Sequence, residues 1–108
     1  MSQRYEEEQA ALSEKIKTLR KELEDAQRYA EMYVEKKAAG KQQWASKFQK
    51  MAEDELQHAA YLHEFAVCEI DQLRAVFKFP PPSMLDAWEA EHKAYVEKAA
   101  WIKQMLAM

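Results

Sequence analysis

The sequence predicts an all-α protein: a three-helix, up-down-up antiparallel bundle of two long helices and a shorter third. Three observations predict it. The 108 residues include a single glycine beside 48% hydrophobic and 32% charged residues, whereas strands and tight turns consume more Gly, Val, Thr and Asn. Apolar residues recur at alternating steps of four and three along most of the chain, the period of helices that pack on helices. Two breaks interrupt that period, Gly40 and the run Pro80-Pro81-Pro82. They divide one helical domain, residues 1-108, into helices over about 3-39, 42-78 and 84-107. A chain of this length supports one core and hides roughly two-thirds of the surface its unfolded form exposes.

Helix one carries the seam Leu12, Ile16, Leu19, Leu23, Ala26, Ala30 and Tyr33. Tyr5 extends the register backwards, but Ser2 to Ala11 has little to bury and is expected to fray. Lys36 and Lys37 suit a helix C-terminus, and Gly40 follows as the residue able to take a left-handed cap without strain. Helix two carries two seams. Ala45, Ala52, Ala59 and Ala66 fall every seventh residue, interleaved with Gln49, Leu56, His63 and Ile70 and continued by Leu73 and Phe77. Small side chains at that repeat let a neighbouring helix approach closely. A second line, Trp44, Phe48, Met51, Glu55, His58, Leu62, Phe65, Glu69 and Val76, lies about 100° around the axis, so this helix is expected to touch two partners. The prolines stop it, since proline lacks the amide donor and disfavours helical geometry in the residue before it. Ser83 then offers an N-cap with Asp86 three residues on. Helix three reads Leu85, Trp88, His92, Tyr95, Ala99, Ile102 and Leu106.

The net charge of −3, with both signs interspersed, argues against a nucleic-acid partner, which calls for a basic stripe. Cys68 is the one cysteine, so no intrachain disulfide or thiolate zinc cage can form, and a reducing compartment fits best. No apolar run approaches the ~20 residues of a membrane span, and Met1 to Arg20 lacks the layout of a secretory signal. The expected location is the cytosol, with no membrane partner. No Ser-His-Asp or Cys-His arrangement, glycine-rich loop or nucleophile elbow appears. The chain therefore reads as a binding protein more readily than as an enzyme.

Glu55 with His58, and Glu89 with His92, share the Glu-x-x-His spacing that aims a carboxylate and an imidazole at one metal from adjacent turns. If helices one and two form a hairpin about Gly40, a residue n of helix two lies level with about 80 minus n of helix one. His58 then faces Glu22 and Glu55 faces Asp25, in one polar layer. If helix three folds back about Pro81, His92 is level with Ile70 and Glu69, about twelve residues or ~18 Å from His58. The two motifs therefore cannot share a dinuclear site, whose metals lie ~4 Å apart, within one chain. A two-fold axis could instead double Glu22 or Asp25, Glu55 and His58. The layer is equally readable as an ion pair of Glu55 and His58 with Glu22, Asp25 or lysines, since buried charges persist only when paired. His63 reads as a core or interface histidine, His92 as a ring stacked between Trp88 and Tyr95, Glu69 as a solvated flank, and Cys68 as inert packing.

The stretch Ala52-Glu53-Asp54-Glu55-Leu56-Gln57-His58-Ala59 resembles the second-helix signature of the rubrerythrin and ferritin-like superfamily. The likeness covers about residues 12 to 77 and makes the fold ferritin-like in part. It implies Glu55 and His58 as metal ligands, Glu22 as the lone carboxylate of the first helix, and iron or manganese as the cofactor, in a centre that oxidises iron or consumes peroxide. The chain departs from that family in lacking a fourth helix, the long crossover and the rubredoxin-type cysteines. The tail Tyr95 to Leu106 is similar to the ends of short helical proteins of phages and prophages of gut Firmicutes. That group implies a mobile-element origin and a bacterial host's cytosol, but brings no assigned activity.

The leading expectation is a non-catalytic oligomeric binding protein with no cofactor. It would pair with itself as a homodimer or higher oligomer, and engage a host or phage protein or sequester a small anionic ligand, countering host defence. Trp88, His92, Tyr95, Lys98, Trp101 and Lys103 are its candidate contacts, because aromatic faces beside cations suit planar anions and interface hot spots. Trp101 lies off the main seam and is the best candidate for an oligomer or ligand contact. Two alternatives accompany it. One is a ferritin-like di-metal protein with Glu22, Glu55 and His58 at a dimer interface; the other is a virion component with helix one as a coiled-coil arm.

Overall fold

The computed structural model describes residues 2–76 and 82–108, and among them every element is a helix. They are α1 (Ser2–Ala38), α2 (Gln42–Val76) and α3 (Pro82–Leu106). The expected end of helix two at 78, the packing of Phe77 and the break at Pro80-Pro81 lie outside the described residues, as do the side chains of Tyr5, Val76, Ser83 and Leu85. The molecule measures 58 × 19 × 15 Å, and its length is that of α1, whose 37 residues rise about 1.5 Å each. The 2–11 stretch, expected to fray, is helical from Ser2 onward. Its Glu, Gln and Ala residues are good helix formers and continue the hydrogen-bond ladder of the packed part. α3 starts two residues earlier than expected, which places Ser83 inside the first turn instead of before it. Proline is at home at such a start because the amide it lacks has no partner there.

Gly40 takes φ 74°, and the hydrogen bonds around it show why. The Lys41 amide donates to the Lys36 carbonyl at 2.9 Å and the Gly40 amide to the Lys37 carbonyl at 3.1 Å. Together they close the end of α1 with the paired bonds of a Schellman motif. Beyond it, α2 packs closely on α1. Lys15 stands over the Phe65 ring at 5.7 Å, and Glu22 Oε2 lies 3.6 Å from His58 Nδ1; in both pairs the residue numbers add to 80. Ala45, Ala52, Ala59 and Ala66 have no exposed surface, so the α2 backbone itself lines the contact.

α3 lies against this hairpin, its backbone closer to α1 than to α2. Ala99, Ile102 and Met105 join Leu19, Leu23, Ala26, Ala30, Ala52 and Ala59 in one buried cluster, while Trp88 packs against a second cluster of Leu12, Ala66, Ile70 and Leu73. Arg20 pairs with Glu91, and the Lys37 ammonium donates to the Met108 carbonyl, each pair 71 residues apart. Toward α2, the Gln49 amide donates to the Leu106 carbonyl at 3.3 Å and His63 meets His92 at 2.7 Å. Both of these pairs add to 155.

That register corrects two expectations. His92 stands beside His63 instead of level with Ile70 and Glu69, a displacement of seven residues or about 10 Å. The aromatic side chains of α3 have gathered around the only ring on the described part of the alanine seam. The second line of α2 is also not covered by α3, for Trp44 is 53% exposed, Met51 39% and Phe65 43%. α3 lies on the alanine side, where Ala99, Ile102 and Met105 join Ala52 and Ala59 in one cluster.

Two substitutions check this packing by urea unfolding. Ala59→Leu puts a branched side chain where no surface is free and is expected to cost about 1–3 kcal/mol. Gly40→Ala meets nothing within 4 Å but keeps the left-handed φ, at a cost of about 1 kcal/mol.

Candidate functional site

Glu55 and His58 leave α2 one turn apart and therefore on nearly the same side. Glu22 reaches the same point from α1. One carboxylate oxygen from each glutamate and one imidazole nitrogen lie within 4.8 Å of one another. His58 Nδ1 is 3.6 Å from Glu22 Oε2 and 3.9 Å from Glu55 Oε2, ion-pair distances too long for hydrogen bonds. Glu22 Oε2 is buried and has no hydrogen-bond partner, a state that costs on the order of 1–3 kcal/mol or more for a charged group. The two glutamates are half-buried and the imidazole is exposed, so the group is open to solvent on its His58 side.

The donor set fits a divalent transition metal. Two carboxylates and one imidazole are the mix that takes manganese, iron or zinc, and ligand atoms across an ion bound at ~2.1 Å stand about 4 Å apart. Small rotations of the three side chains would close the group onto an ion. Asp25, expected opposite Glu55, is not part of it. Its carboxylate accepts a hydrogen bond at 3.2 Å from Arg28, one turn along its own helix, and that neighbour needs no second helix to reach it. Glu89 is exposed and also lies outside the group.

The six candidate contacts on α3 fall into different places. Trp88, His92 and Tyr95 converge on His63, whose ring stacks on Tyr95 at 4.4 Å between centroids, on His92 at 4.9 Å and on Trp88 at 5.6 Å. Sequence reasoning grouped the three α3 rings but missed His63 as their centre. The signal was available, since a lone ring in a seam of alanines is where a neighbouring helix will lay its own rings. Tyr95 and Lys103 line an open groove of about 440 Å³ between α2 and α3. Tyr95 and Lys98 border a smaller one of about 210 Å³ between α1 and α3. Trp101 is 49% exposed and lines neither.

His63 Nε2 and His92 Nδ1 are 2.7 Å apart, a hydrogen bond that requires one of the two nitrogens to lack a proton. Burial, and then the neighbouring His92, push the His63 imidazole below its ordinary value of 6.5. Burial pushes the Tyr95 hydroxyl above 10.0.

Among the described residues no helix is long and apolar enough to cross a membrane. In comparisons with protein families, curated proteins and solved structures, nothing matches the chain.

The folded chain favours neutral His63, so its contribution to stability is full above pH 6.5 and falls as acidification passes below that value toward the depressed folded-state one. Thermal melts across this window are expected to show a falling Tm for the native chain. His63→Phe, which keeps a ring in the stack but cannot take up a proton, should flatten that fall.

Proposed function

We propose that this protein is a metal-binding helical bundle, running up, down and up, that holds a divalent ion of the manganese, iron or zinc class on Glu22, Glu55 and His58. The observation that carries the reading is the buried, unpartnered Glu22 Oε2 facing His58 and Glu55. At 3.6 Å the His58 imidazole does not serve that oxygen as a hydrogen-bond donor, whereas a cation held between them would satisfy it together with the two other side chains. The equal offsets of the α1–α3 pairs and the equal sums of the α2–α3 pairs support the direction assigned to each helix. A bound ion would supply Lewis acidity or redox capacity at a solvent-accessible face. The chain's own part is to hold three donors convergent, with α1 and α2 fixed by the alanine seam. Metal ligands bind in their deprotonated form, so metal uptake weakens in acid.

A second reading has a separate observation behind it. Tyr95 and Lys103 share the α2–α3 groove, where an aromatic face beside a cation suits a small planar anion. It keeps the sequestering role expected of a mobile-element protein, and the two sites are not mutually exclusive.

Titration of purified protein with Mn(II), Fe(II) and Zn(II), read by calorimetry and by elemental analysis after dialysis, tests the metal site. Native protein is expected to retain one of these ions. His58→Ala and Glu22→Gln should each lower affinity by at least about tenfold, the scale on which even an outer partner of a ligand acts. Equal metal content in native protein and both variants would end the proposal.

A further inference from the structure

We propose that the exposed face of the α1–α2 hairpin is covered by a second copy of this chain, α2 lying antiparallel on α2 about a two-fold axis at the height of His58. The height rests on the metal reading: Glu22, Glu55 and His58 are three ligands on an open face. Doubling them yields one glutamate from each of two helices and one Glu-x-x-His pair from each of two others, the complete ligand set of a dinuclear four-helix site. The face itself is argued from what it exposes.

Within α2 between Trp44 and Gln72, the positions that point with His58 to within about 20° are Lys47, Met51, Phe65 and Glu69, with Trp44 and Leu62 about 20° further round. Met51 and Phe65 are partly exposed large apolar side chains seven residues to either side of His58. Lys47 and Glu69 lie eleven residues to either side. An antiparallel partner centred on His58 therefore sets Met51 against Phe65 of the second copy, and Lys47 against its Glu69, with each contact made twice. Among the described residues the Lys47 ammonium meets the Trp44 ring, 4.7 Å away, and neither it nor Glu69 makes an ion pair. The charge pattern is self-complementary about the same point that completes the ligand set. On α1 the same axis passes Glu22 and brings Lys15 level with Tyr29 of the second copy.

Area agrees with this occupant. The chain exposes 7186 Å², against about 6,200 Å² for a compact monomer of its 12.7 kDa mass. A stripe from Trp44 to Glu69 is about 38 Å long, and two helices side by side are about 20 Å wide. The resulting ~750 Å² per copy matches the ~800 Å² of a standard interface. The competing arrangement, α2 on the second copy's α1, would put Lys47 level with Tyr33 and Glu69 level with Ala11. Both charges would then stay unmatched.

Sedimentation equilibrium on the full chain, with EDTA and then with Mn(II), tests the arrangement, with circular dichroism confirming that each variant is folded. Native protein is expected to be a dimer in EDTA at about 100 μM, and His58→Ala should remain one. Lys47→Glu, which sets like charges together twice, should weaken dimerisation by about tenfold. Lys47→Glu with Glu69→Lys should restore it, and Met51→Lys should give monomers. A native monomer overturns the proposal, and so does a dimer that the single and double charge reversals affect alike. A dimer that obeys the charge swap but takes up no metal retires the metal reading alone, whereas a monomer that binds metal retires only the dimer.

Discussion

Four alanines spaced seven residues apart decide the arrangement of everything else. Ala45, Ala52, Ala59 and Ala66 are wholly covered, and small side chains at that repeat let a neighbouring helix approach closely. Close approach has a geometric consequence at the flanks. Side chains one position round the helix are carried toward the opposite helix instead of past it, and this brings Glu22 of α1 within ion-pair distance of His58. A seam of leucines would widen the packing of α1 on α2 by a few ångströms and part Glu22 from Glu55 and His58 without altering any of them. The packing and the site are thus one constraint viewed from two sides of the same helix.

The hairpin has two grooves, and α3 fills one. The alanine side offers room for Ala99, Ile102 and Met105, which join the core there, and for the ring stack around His63. Ile102 is among the largest side chains with almost no exposed surface, and burial of that kind contributes about 1.5–3 kcal/mol. The Arg20–Glu91 pair and the Gln49–Leu106 hydrogen bond then fix α3 lengthwise. Exposed ion pairs add little to stability, so they act as register marks upon an apolar attachment. The other groove is left with aromatic and sulfur side chains in water and with the carboxylates and imidazole open to it.

Most of the helical layout was legible because its determinants are local. The period of apolar residues, the glycine with positive φ and the basic last turn of α1 each act within a few residues, and the hairpin arithmetic needs only the position of Gly40. Glu22 and His58 were readable as neighbours for that reason. The height of α3 was not readable in the same way. It depends on how the chain travels between α2 and α3, and placing the pivot at Pro81 put His92 seven residues from the His63 it meets. Asp25 shows a different limit. Helix-to-helix levels place a residue, but an arginine one turn away on the same helix can claim its carboxylate first. The exposure of Trp44, Met51 and Phe65 was hidden by a general rule, that a wide apolar arc finds two partners within the chain. α2 does touch both α1 and α3, but α3 meets it at Gln49 and His63 on the alanine seam and leaves the second line exposed.

Two unfavourable features therefore sit on one face of the molecule. A buried carboxylate oxygen without a donor and a row of large apolar side chains in solvent would each be selected against in an isolated helical bundle, and they have no common cause within a single chain. Their coincidence in height and direction is informative. A cation alone answers the first feature and leaves the second; a partner helix alone answers the second and drives the first deeper into a medium where an uncompensated carboxylate is still more costly. With both in place each cost is answered, because covering the face lowers the local dielectric and so strengthens the attraction between a bound cation and the carboxylates. Metal binding and association through this face would accordingly be coupled, each raising the affinity of the other by the same factor.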